Sequence, residues 1–191
     1  MRKNTIRFSV PAVILTAGAL TFTPAIVVPS TAVTPAAPAA SSATIGAPAA
    51  PQARGDKRAK RAAKAHNTRK RLVKVAKAKK RSGAQYVAGA SSSRRFDCSG
   101  FTKMLYKTVA GKYLPHYSGA QMRKGKRVSK NNLQKGDLLF WGPGGSQHVS
   151  MYIGRGKMIG ANNPRSDIRI ESVNAPWWRN LYAGATRVIK G

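Results

Sequence analysis

The chain's one cysteine, Cys98, stands in the run Phe96-Asp97-Cys98-Ser99-Gly100, and His148 stands further along in Gly145-Ser146-Gln147-His148-Val149. A thiol and an imidazole brought together are a nucleophile and a base, able to open an acyl bond through a thioester. Taken alone, Cys98 is an inert buried thiol, an intermolecular disulfide partner or a reactive group. Its neighbours favour the last. A helix starting at Cys98 turns unpaired N–H groups and the positive end of the helix dipole toward the thiol, and both favour the thiolate. Arg94 and Arg95 are expected to add positive charge alongside. His148 keeps the plain alternative of a hydrogen-bonded structural histidine.

The elements that must position this pair are legible nearby. From Cys98 to Ala110, Phe101, Met104, Leu105 and Val109 recur on one face of a helix, with Cys98 at its start. Gly136-Asp137 then turns the chain into a β-rich half, with short strands expected at Leu138–Trp141, Gln147–Ile153, Lys157–Ala161, Asp167–Ser172 and Tyr182–Ile189. Alternation in the second of these puts Val149, Met151 and Ile153 on one face and His148, Ser150 and Tyr152 on the other. Helices followed by strands predict an α+β domain. A cysteine at a helix start and a histidine leading a strand is the arrangement of papain-like nucleophile and base pairs.

Composition removes competing chemistries. The 191 residues carry 35 Lys and Arg against five Asp and Glu, a formal net charge of +30. A glycosidase needs two carboxyl groups about one bond, and a two-metal hydrolase needs several oxygen ligands. One cysteine and three histidines, His66, His116 and His148, do not supply a zinc site at recognisable spacing. No metal and no cofactor are expected.

The N-terminus has the order of a secretory signal: Arg2, Lys3 and Arg7, then an apolar stretch through Val13-Ile14-Leu15 to Leu20, then small residues with several cleavage options, Ala37-Pro38-Ala39 among them. A transmembrane helix competes with this reading, but Pro11, Pro24 and Pro29 interrupt it. Export is therefore expected, with contact to the membrane only through the signal. From Pro29 to Gln52 the chain is an Ala, Pro, Thr and Ser tether without the apolar bulk to form a core. Between Arg54 and Arg81 come 14 Lys and Arg with Asp56 as the single acid. This block reads either as a solvated linker entering the domain's first helix near Val73 to Lys80, or as an anion-binding arm. Anionic cell-wall polymers and lipid head groups are the partners that an exported basic arm is expected to meet first. Nucleic acid is not among them, since no reading surface with interleaved aromatics accompanies the charge.

From Ser82 to Gly191 the chain resembles the NlpC-type (NlpC/p60) cell-wall cysteine endopeptidases. The resemblance is carried by five landmarks in order: Tyr86-Val87 with Gly89; Phe96-Asp97-Cys98-Ser99-Gly100-Phe101; Leu114-Pro115 with Ser118 and Gln121; Gly136-Asp137-Leu138 with Phe140; and His148-Val149 with Tyr152-Ile153-Gly154. It implies a papain-like α+β domain, N-terminal helices packed on a small antiparallel sheet. It also implies a secreted, wall-associated peptidoglycan hydrolase that cleaves stem peptides, at γ-D-glutamyl to diamino-acid bonds. Cys98 is then the nucleophile, His148 the general base and Tyr86 a helper at the oxyanion, with simple packing as the alternative for Tyr86. Asp97 and Ser99 shape the substrate subsite, with helix capping the alternative for each and the one that local grounds favour for Asp97. Ser118 and Gln121 are expected to be structural.

The family's third polar residue, which orients the base, falls here on Gly160, which has no side chain. Strand parity makes Asn162 the substitute. Ala88 and Ala90 also depart from the family pattern. The expected organisation is a signal over 1–40, tether and arm over 41–81 and a peptidase domain over 82–191, in a monomer. The competing reading, motivated by Gly160 and the charge, is a weak or inactive relative that binds wall or another polyanion. Hydrolysis and acyl transfer use the same residues.

Overall fold

The computed structural model describes residues 50–191, with side chains from Arg54 onward. The expected secretory signal and nearly all of the tether lie outside the described residues. Among the described residues no helix is long and apolar enough to cross a membrane.

The basic block is one helix, α1 (Ala50–Arg81). Its alanines, lysines and arginines are good helix formers, and three small or apolar residues on one stripe, Ala65, Leu72 and Ala76, are buried. They join the same core cluster as Phe101, Leu105, Phe140 and Val149. The packed unit thus reaches back through the C-terminal half of α1, beyond the start expected at Ser82. Charge dominates the composition of this segment, but the few side chains facing inward decide its packing.

Two short parallel strands, β1 (Gln85–Tyr86) and β2 (Arg95–Phe96), lead into α2 (Cys98–Ala110). Asp97 caps α2 at its start, and Gly111, in the left-handed conformation at φ 61°, ends it by donating to the Lys107 carbonyl. Between caps, Phe101, Leu105 and Tyr106 are fully buried, each contributing about 2 kcal/mol of transfer free energy.

After a short helix α3 (Ser118–Met122) come β3 (Lys126–Val128), β4 (Leu138–Trp141), β5 (His148–Gly154), β6 (Lys157–Ala161) and β7 (Ile168–Ser172). A one-turn helix α4 (Pro176–Arg179) and β8 (Tyr182–Arg187) complete the order. The last six strands form one sheet in the order β3-β8-β4-β5-β6-β7, antiparallel throughout. Its larger apolar face, with Leu138, Phe140, Val149, Met151 and Ile159, packs with α1 and α2; Leu139, Trp141, Met158 and Ala185 form a second cluster opposite. This is an α+β fold of helices on an antiparallel sheet. Asp137, fully buried at the entry to β4, is paired twice by Arg187 of β8, Nε to Oδ1 at 2.8 Å and Nη2 to Oδ2 at 2.7 Å. Its role is structural, as the turn reading of Gly136-Asp137-Leu138 anticipates.

Candidate active site

Cys98 is the first residue of α2, and the turn before it is built around the Asp97 carboxylate. Oδ1 accepts from the Gly100 amide at 2.6 Å and the Ser99 hydroxyl at 2.9 Å. Oδ2 accepts from the Gly89 amide at 3.1 Å and lies 3.0 Å from His116 Nε2. The Asp97 amide donates in turn to the Ala90 carbonyl at 2.9 Å. Gly100 is required for this approach, since any Cβ there would run into the Ala90 carbonyl oxygen. Asp97 therefore ties the Gly89–Ala90 loop, His116 and the helix start into one unit, the capping role open to it on local grounds. The Ser99 hydroxyl is turned onto Asp97 and its carbonyl accepts from Gln121, which also bonds Pro115 and Thr102. Gln121 is structural, as expected.

The Cys98 thiol is free and partly buried. Backbone amides of Val149, Ser99 and Cys98 itself hydrogen bond to it, which favours the thiolate, but burial outweighs them and pushes the thiol's pKa up. The Asp97 carboxylate acts in the same upward direction. This departs from the electropositive surroundings expected of the sequence. Arg94 and Arg95 are exposed, with the Arg94 guanidinium bonded to the Ser82 carbonyl at 3.1 Å. The charge nearest the thiol is an acid.

The Val149 amide on the thiol belongs to the residue after His148, so helix start and strand start meet at this point. His148 opens β5 opposite Trp141 of β4. Only 6% of it is exposed. Its ring is nearly parallel to that of Trp178, with centroids 4.8 Å apart, and Trp141 flanks it at 5.7 Å. This burial lowers its pKa from 6.5 to about 4, so the imidazole is neutral at ordinary pH. The Tyr86 phenol faces the same point: burial raises its pKa, and the charges of Cys98 and Asp97 add to the rise. The Tyr86 amide donates to Asp167 Oδ1 at 2.8 Å, which fixes β1 against the β6–β7 turn.

The fold thus brings Cys98, His148, Tyr86, Asp97 and Ser99 together. Asn162 it does not bring to the histidine. His148 Nε2 lies 2.9 Å from Ser150 Oγ, whereas Asn162 Nδ2 donates to Glu171 Oε2 at 2.8 Å. The same carboxylate oxygen accepts from Trp178 Nε1 at 2.8 Å. Asn162 therefore touches the imidazole only at second hand, through Glu171 and the stacked indole. Four residues without an expected role join the site: His116, Ser150, Glu171 and Trp178. Of these only Ser150 left a trace in the sequence, by sharing a strand face with His148. Among the described residues no group of three or more His, Cys, Asp and Glu gathers as metal ligands would.

Comparison with known proteins identifies relatives of this chain. The profile of the NlpC/P60 family matches residues 83–187. A gamma-D-glutamyl-L-lysine dipeptidyl-peptidase of Bacillus cereus is 42% identical over 111 residues, covering 56% of this chain and 33% of the relative. The murein DD-endopeptidase MepS/murein LD-carboxypeptidase of Escherichia coli is 36% identical over 108 residues, covering 56% of this chain and 57% of the relative. The chain thus spans a third of the one and little over half of the other. Among solved structures, an NlpC/P60 family protein from Bacillus cereus superposes with a TM-score of 0.54 at 41% identity, covering 56% of this chain and 36% of that one.

Proposed function

The chain belongs to the NlpC/P60 family, and from that premise we propose that it is a peptidoglycan hydrolase that cleaves cell-wall stem peptides, with Cys98 as nucleophile and His148 as general base. The observation that carries the proposal is the thiol at the first turn of α2 held under the amide of Val149, the residue that follows a buried, neutral His148. With the thiol's pKa raised and the imidazole's lowered, proton transfer accompanies attack; no resting ion pair is involved. His148 takes the Cys98 proton as sulfur adds to the peptide carbonyl. Amides at the helix start and the Tyr86 hydroxyl hold the oxyanion. Collapse gives the thioester as the amine leaves with the proton from His148, and water, deprotonated by the same imidazole, releases the acid. The γ-D-glutamyl to diamino-acid bond is the proposed target, supported by the name of the Bacillus cereus relative. Cys98→Ala should keep the wild-type circular dichroism spectrum and release no stem peptides from purified peptidoglycan. Retained release would remove Cys98 from the reaction.

Secretion and a place in the wall are proposed with it, supported by the N-terminal pattern and the wall-acting relatives. A binding role rests on a separate observation. Lys57, Lys60, Lys64, Lys70, Lys74 and Lys77 of α1 all face solvent, and we propose that this cationic face holds the enzyme on anionic wall polymers.

A further inference from the structure

A general base needs its ring held in one orientation and one tautomer. Two contacts fix the His148 ring. Trp178 sets its plane by stacking, but stacking does not choose between the two orientations related by a half-turn about Cβ–Cγ, which exchange nitrogen and carbon positions. The second contact, Ser150 Oγ at 2.9 Å from Nε2, makes that choice. Ser150 is 1% exposed, so water does not replace its hydroxyl at the imidazole.

The position of that hydroxyl depends on a residue of the neighbouring strand. In the β5–β6 ladder Met151 lies opposite Ile159, and one step further Ser150 lies opposite Gly160. A Cβ built on Gly160 would collide with Ser150 Oγ and sit 3.2 Å from Ser150 Cβ. Side chain at 150 and side chain at 160 are therefore alternatives: the hydroxyl occupies the volume that any residue larger than glycine would claim. Position 160 on β6 carries no side chain, and the hydroxyl that fills its space from β5 is the one that meets His148.

We propose that Ser150 is the positioning residue of the catalytic base, and that Gly160 is glycine in order to admit it. The proposal rests on the catalytic reading of Cys98 and His148. Nε2 carries its proton toward Ser150 Oγ, which leaves Nδ1 unprotonated as the atom that receives the thiol proton. On protonation both ring nitrogens donate, and Ser150 accepts from the imidazolium as it did from the neutral ring. The hydroxyl is an uncharged acceptor, so it orients the ring without drawing the imidazole toward its charged form as a carboxylate would.

The test uses the full chain with Ser150→Ala, Gly160→Asn and the double variant Ser150→Gly/Gly160→Asn. Turnover of a defined muropeptide should fall in Ser150→Ala on the order of 10- to 100-fold in kcat with KM little changed, as for a reacting group loosened in place. The double variant, which returns a polar side chain from β6 and clears its space on β5, should recover most of that loss. Gly160→Asn alone should do worse than the double variant, because the two side chains compete. Nitrogen-15 NMR of His148 should show a single Nε2–H tautomer in the wild type and a mixture in Ser150→Ala. This readout needs no turnover, so it separates the two claims: a dead Cys98→Ala with an unaltered Ser150→Ala tautomer and kcat overturns the role of Ser150 alone. A Ser150→Ala variant that loses thermal stability but keeps both kcat and tautomer assigns the hydroxyl to folding and equally overturns the proposal.

Discussion

The indole of Trp178 lies 18° from parallel with the imidazole of His148, and its Nε1 donates to Glu171. One side of the base is thereby sealed by an aromatic surface whose position is fixed from the other end. Stacking at this separation keeps water off the ring, and desolvation is what lowers the pKa of His148. Trp178→Ala should let that pKa climb from about 4 toward 6.5. The acid limb of the kcat/KM profile should move up with it, so the loss of activity is largest at mildly acidic pH. A limb that stays in place would mean that Trp141 and the strand alone exclude solvent.

The same lowered pKa ties stability to pH. His148 takes up its proton near 6.5 in the unfolded chain and only near 4 in the folded one, so between those values the unfolded state binds more protons. Its contribution is complete above pH 6.5 and drains away as pH falls, by about 3 kcal/mol at pH 4. Urea unfolding should follow this loss. His148→Gln, which does not titrate, should flatten the dependence over that window while leaving other groups' contributions in place.

What could be read ahead of the structure follows from which interactions are local. The helix from Cys98 to Ala110 is set by its own periodicity, its Asp97 cap and Gly111, all contiguous in the chain. Strands β4 to β7 lie within a residue or so of their expected bounds because alternation and glycine turns mark them. Tyr182 starts β8 as expected, yet the strand stops at Arg187, whose side chain turns to Asp137. Long-range relations were the ones hidden. Strand parity points to Asn162 as a partner of His148, but Asn162 bonds Glu171, which stands opposite Met158 in the β6–β7 ladder. Trp178 sits on a helix of four residues, too short to leave a period. The helix dipole and nearby arginines argue for an activated thiol; burial, which depends on β5 closing over Cys98, argues the other way and prevails.

That reversal has a kinetic consequence for the thiol. Because burial and Asp97 both hold Cys98 above the usual range, alkylation by iodoacetamide should be slow near neutrality and should climb with pH to a midpoint above that of an ordinary thiol, about 8.5. Asp97→Asn removes one of the two upward effects and should bring the midpoint down. A wild-type midpoint below 7 would instead require a resting thiolate and imidazolium pair, and would replace general-base attack with attack by a preformed anion.

The cationic face of α1 is separable from the chemistry by substrate. Ala65, Leu72 and Ala76 hold the helix to the domain, while Lys57, Lys60, Lys64 and Lys74 point into solvent, so replacing those four by Gln leaves the packed stripe intact. Attraction between this face and a polyanion is screened over about 8 Å at physiological ionic strength. Binding of the wild type to intact wall should therefore weaken steeply with added salt, and the four-fold variant should bind less and respond less to salt. Turnover of a soluble muropeptide should match the wild type, because the thiol and imidazole are untouched. A variant equally retained on wall at low salt would remove these four lysines from the attachment and leave it to the other cations of the chain.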